Sequence, residues 1–108
     1  MKKLVYLIVL CGILCACNFD IRLHTKQLKW LDRQLESSPK MVLDSLRHMN
    51  VDKLTESQRA YYYLLSASAT DKNLKRLAND SCLLVALEYF TENKDIYNIA
   101  RCQYYLGK

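Results

Sequence analysis

Apolar and polar positions recur along this chain with the 3.6-residue period of helices that bury one face. Between Leu23 and Glu36, Leu28, Leu31 and Leu35 fall on one side with His24 a turn earlier, while Lys26, Lys29, Arg33 and Glu36 fall away from it. Ser37-Ser38-Pro39 ends this first helix and starts a second. Ser38 is a good N-cap, and Pro39 lacks only an N–H that a first turn leaves unpaired. The second helix runs to about Met49 with Val42, Leu43, Leu46 and Met49 inward, and Asn50-Val51-Asp52 closes it. A third is predicted from Thr55, which has the capping-box spacing to Gln58, through Ala69. Its run from Ala60 to Ala69 is apolar or small nearly all round, as in a helix with neighbours on more than one side. Asp80 caps a fourth helix carrying Leu83, Ala86, Leu87 and Phe90, and Asn93-Lys94-Asp95 forms a turn. The fifth spans Ile96 to Leu106, with Ile96, Ile99, Ala100, Gln103 and Leu106 expected on its inner side.

Two glycines and one proline in 108 residues leave few breaks, and no segment shows the β-branched alternation of strands, so the fold class is all-α. Short polar turns between such helices make antiparallel hairpins. Ala86 followed by Phe90 four residues on, a turn at Asp95, then Ala100 and Leu106-Gly107, resembles the tetratricopeptide repeat. In that family a small residue and an aromatic mark the second helix, and Leu-Gly the next first helix. The resemblance implies an α-solenoid in which residues 23–36 and 39–49 form one hairpin and residues 55–69 and 80–92 another. The linker inside that second hairpin, residues 70–79, is longer than the family's turn, and residues 96–107 would open a third hairpin. A repeat array covers its last apolar face with further units or a cap. Tyr97, Tyr104, Tyr105 and Leu106 are therefore expected to be covered by the preceding hairpin, by another chain or by sequence beyond Lys108.

Ahead of these helices, Lys2 and Lys3 precede an apolar run from Leu4 to Leu14, the charge and hydropathy of a secretory signal. The apolar stretch through Cys17 is 14 residues, short of the roughly 20 that span a bilayer. It ends in Leu14-Cys15-Ala16-Cys17, which resembles the bacterial lipobox, with Leu14 three before the cysteine and the small Ala16 immediately before it. That resemblance implies cleavage before Cys17, a diacylglycerol thioether on its sulfur and an acylated α-amine. Residues 1–16 then form a lipoprotein signal peptide, 17–22 a lipid-anchored tether and 23–108 the helical domain. Lipobox and helices together resemble the helical lipoproteins of Bacteroidetes. Asn18-Phe19-Asp20 lacks the acidic run that marks surface export, so a periplasm-facing location in the cell envelope is expected.

Charge and chemistry narrow the function. Without Lys2 and Lys3 the 16 basic residues become 14 against 11 acidic ones, spread along the chain rather than in the dense stripe that favours nucleic acid. His24 and His48 stand alone, so no metal is expected. Gly107 is the only glycine after Gly12, which excludes phosphate-cradling loops and the cofactors they hold. The acidic residues are scattered, and no nucleophile has a base beside it, so no catalytic site and no cofactor are expected. Cys82 and Cys102 lie on helices expected to be antiparallel, in a compartment that permits bridging; both also fit as small core residues. Tyrosines exceed what so small a core needs, and Tyr61, Tyr62, Tyr97 and Tyr104 are the candidate partner-binding residues, because tyrosine offers contact area at low entropic cost. The expectation is a lipid-anchored scaffold or adaptor that binds a protein or peptide. The alternatives are a glycan- or small-ligand-binding lipoprotein of a nutrient-uptake system, or the sensing end of a larger regulatory protein.

Overall fold

A computed structural model describes residues 22–75 and 80–107. Leu14, Ala16 and Cys17, the leader and most of the tether lie outside the described residues, as do the last four residues of the 70–79 linker. The described chain is all-helical: α1 (22–34), α2 (Pro39–Arg47), a 3₁₀ turn (Val51–Lys53), α3 (Glu56–Lys72), α4 (Ser81–Glu92) and α5 (Ile96–Leu106).

Two apolar clusters share α3 between them. Leu28, Leu31 and Leu35 meet Val42, Leu43 and Leu46 of α2 and Leu65 and Ala69 of α3. On its other side α3 gives Ala60, Leu64 and Ala67 to a cluster with Leu83, Ala86 and Phe90 of α4 and Cys102 of α5. This explains the all-round apolar run from Ala60: a helix clasped from both sides has no face to leave polar. Cross-helix bonds give the directions. Gln58 donates to Thr25 Oγ1 at 2.9 Å near the starts of α3 and α1, and Lys72 pairs with Glu36 at 2.7 Å near their ends, so α1 and α3 run parallel. Tyr62 donates to the Leu46 carbonyl and Asn73 to that of Pro39, so α2 runs against both.

The helix ends follow local chemistry. Thr55 and Gln58 form the reciprocal capping box, and Asp95 accepts from the Asn98 N–H at the start of α5. Ser38 and Asp80 hold the N-cap positions of α2 and α4, yet neither side chain caps its helix. Pro39 at the first turn starts α2 without help from the serine. Helix α3 continues past Ala69 to Lys72, because its last carbonyls are closed by a six-to-one bond from the Lys75 N–H to Thr70 and a five-to-two bond from Leu74 to Asp71. The same closure ends α4, from Asp95 to Phe90 and from Lys94 to Thr91. Leu74 and Lys94 therefore sit at φ 58° and 56°, the left-handed position usually given to glycine.

One expected face is met only in part: Ile99 and Leu106 pack inward as expected, but its other three positions do not. Ile96 is 78% exposed, and Ala100 and Gln103 face solvent with it. Helix α5 instead presents Cys102, with Ile99, Tyr105 and Leu106 beside it, to the cluster of α3 and α4. The part of this helix that meets the preceding hairpin is centred on the small Cys102, which is buried in one cluster with Ala86. Leu54, just after the 3₁₀ turn, is an additional core residue.

Candidate functional site

Helices α1, α3 and α5 border one groove of about 350 Å³. At its centre, residues from all three helices meet. Asp32 of α1 takes a fork from the Arg101 guanidinium of α5: Nη2 donates to Oδ1 at 2.9 Å and Nη1 to Oδ2 at 3.2 Å. The Tyr61 hydroxyl of α3 donates to the same carboxylate. Arg101 also reaches Asn98 Oδ1 at 3.4 Å, and its guanidinium lies 5.5 Å from the centre of the Tyr97 ring, within cation–π range.

The electrostatics follow from this packing. Burial raises the Tyr61 pKa above the usual tyrosine value, and the Asp32 carboxylate raises it further by holding the phenolic proton; Arg101 opposes both effects. Burial alone would lower the Arg101 pKa, but its bonds to Asp32 outweigh that, and the net shift is upward. Tyr61 thus stays a neutral donor and Arg101 a fixed cation whose charge Asp32 offsets. Tyr97 and Lys29 bring an exposed ring and an ammonium to the rim, and Gln58 forms part of the wall. Such a groove can stack and hydrogen-bond a ligand, but it offers no activated nucleophile.

The four tyrosines singled out in the sequence do not share this site. Tyr61 and Tyr97 do. Successive helical residues point about 100° apart, so Tyr62 turns to the opposite side, where it donates to the Leu46 carbonyl at 2.8 Å and meets Tyr63 edge to face. It lines a second depression of about 390 Å³ between α2 and α4, with Ser66, Thr70 and Cys82. Tyr104 is exposed and packs edge to face on Tyr105, outside both grooves. A third, open hollow of about 820 Å³ near Met41, Ser45 and His48 contains no comparable interhelical cluster among the described residues.

Cys82 and Cys102 are free thiols, the first exposed and the second buried. Cys102 shares a buried cluster with Ala86, which lies one helical turn from Cys82 in α4. Burial pushes the Cys102 pKa up to about 11, which keeps it a thiol at neutral pH. Among the described residues no group of three or more His, Cys, Asp or Glu is placed to hold a metal ion, and no helix is long and apolar enough to cross a membrane.

Asp32 and Arg101 were not singled out by sequence reasoning, being separated by 69 positions. No local signal marked them: Lys29 and Glu36 also adjoin core leucines, and both are exposed. Comparison of the chain with protein-family models, with characterised proteins and with solved structures gives no match.

Proposed function

We propose that this is a membrane-anchored lipoprotein whose tetratricopeptide-like helices bind another polypeptide in the groove across α1, α3 and α5, and that it catalyses nothing. The observation that carries this reading is the groove itself. Three helices packed side by side at 8–10 Å span roughly 20 Å, the length of about six extended residues. Along that path lie the exposed Tyr97 ring and the Lys29 ammonium, groups suited to packing on and pairing with an extended peptide. The Asp32–Arg101–Tyr61 cluster holds the groove's three sides in register. The parallel course of α1 and α3, with α2 reversed between them in sequence, supports the repeat-like reading.

The lipobox Leu14-Cys15-Ala16-Cys17 supports anchoring, with the helices facing the periplasm. On this reading labelled palmitate enters the wild-type chain and is lost in Cys17→Ser; equal labelling of both proteins refutes lipidation at that residue. Groove specificity is tested separately on peptide and glycan arrays. Peptide binding weakened by Tyr97→Ala is expected, whereas binding of polysaccharide alone would replace the polypeptide reading with a glycan-binding one.

A further inference from the structure

The solvent face of α1 carries a second surface, which meets the groove at Lys29. Arg22, Lys26, Lys29 and Arg33 are all exposed, and at 100° per residue they fall within an arc of about 60°. None of the four has an ion-pair partner among the described residues. No acid shares the stripe: Asp32 is turned into the groove, and Glu36, beyond the end of α1, is held by Lys72 at 2.7 Å. Along one border of the stripe lie Leu23 and Trp30, two turns apart and 51% and 48% exposed. The helix therefore has an apolar core face, a basic outer face and, between them, a large aliphatic and an indole in water.

We propose that this outer face of α1 is a membrane-contact surface that docks on anionic phospholipid headgroups. Arg22, Lys26, Lys29 and Arg33 meet the phosphates, and Leu23 and Trp30 enter the interfacial layer, where an indole is favoured because one end is apolar and the other wet. The charge complementarity identifies the partner: a row of four cations edged by Trp and Leu matches a negatively charged interface. Each basic residue at such a surface shifts the docked-to-free ratio roughly fivefold, and the effect fades beyond a Debye length.

The surface stands on residues of α1 itself and goes beyond the anchoring read from Cys17; where Cys17 is acylated, five residues of chain hold Arg22 within about 18 Å of the bilayer. The groove adjoins the stripe through Lys29, which borders both. Docking by the stripe would thus set the groove's mouth beside the membrane, not against it.

Trp30 is the only tryptophan in the chain, so its fluorescence reports the contact directly. The test mixes the full chain with vesicles of phosphatidylglycerol and phosphatidylcholine, or of phosphatidylcholine alone, each carrying brominated acyl chains. Emission, quenching and co-sedimentation are read together. With anionic vesicles in low salt, Trp30 emission should shift to the blue and be quenched. Neutral vesicles, or high salt, should leave both changes small. Lys26→Gln/Lys29→Gln should lower the docked-to-free ratio roughly twenty-five-fold, at two fivefold steps, with unchanged far-UV circular dichroism showing that the helices remain. A chain that sediments with both vesicle types while Trp30 stays unquenched refutes the docking surface and leaves the anchor intact. Sedimentation with anionic vesicles alone, with quenching, supports the surface and counts against the anchor. An acidic polypeptide is the other partner that suits such a stripe; protection of Trp30 by polyglutamate with no quenching by anionic vesicles would overturn the proposal.

Discussion

Removing the Asp32 carboxylate probes a polar cluster that ties three helices together. In Asp32→Ala the Arg101 guanidinium, whose side chain is only 16% exposed, loses both arms of its fork, and Tyr61 loses its acceptor. Breaking a fully buried pair costs 3–5 kcal/mol by stranding a charge. Here Asp32 is 25% exposed and water reaches the groove, so screening lowers the expected cost to about 2–3 kcal/mol. For a domain of this size that corresponds to a fall in Tm of about 10–20 °C. Asp32→Asn, which keeps one acceptor, should lose about half as much. The assay is urea unfolding followed by far-UV circular dichroism, completed as a cycle with Arg101→Met. A coupling energy of about 1–2 kcal/mol is predicted, because the double variant leaves no charge stranded. A loss below 0.5 kcal/mol for Asp32→Ala, with coupling indistinguishable from zero, would show that the cluster does not hold the helices in register (thresholds set at about the measurement error of such cycles).

Leu74→Gly and Lys94→Gly, at the two left-handed positions that close α3 and α4, should each stabilise the chain by about 1 kcal/mol, since glycine removes the steric cost of positive φ; destabilisation in thermal melts would contradict those closures. Thr55→Ala should cost about 1 kcal/mol through loss of its cap, and Gln58→Ala more, because Gln58 also donates to Thr25; equal losses in urea unfolding would show that this second bond adds nothing. The Cys102 pKa is raised from 9.0 to about 11, so its contribution to stability is full below pH 9 and is lost as pH rises through 11. Cys102→Ala should flatten that part of the stability profile, and a profile of unchanged slope would refute the assignment. Brief alkylation of the native chain followed by peptide mapping should modify Cys82 and spare Cys102; equal labelling would mean that α5 does not cover its thiol.

Much of the fold was legible because burial in a helical chain is written in spacing. Leu28, Leu31, Leu35, Val42, Leu43 and Leu46 all lie in the core that their period implies. The dual character of α3 could be read from its apolar run, since a helix packed on two sides cannot be amphipathic. The face of α5 was not legible in this way. Its sequence groups Ile99 and Leu106 with Ile96 and Ala100 on one broad face, and they can equally be grouped with Cys102. Only the tertiary position of α3 and α4 selects between the two groupings, and it leaves the larger Ile96 in water. The groove was half legible. Tyrosine excess pointed to Tyr61 and Tyr97, but adjacency in sequence concealed that Tyr61 and Tyr62 line different grooves. The union of Asp32 with Arg101 depends on a path through three helices that no local pattern encodes.

The central claim, that the groove receives a polypeptide, is tested most directly by a photo-crosslinking residue placed at Tyr97 in the full chain, with the same residue at exposed Glu88 on α4 as control. The account predicts a discrete polypeptide adduct from position 97, absent from position 88 and diminished by Asn98→Ala within the groove. Equal crosslinking from both positions, or adducts at position 97 that resist protease and yield to glycosidase, would contradict it.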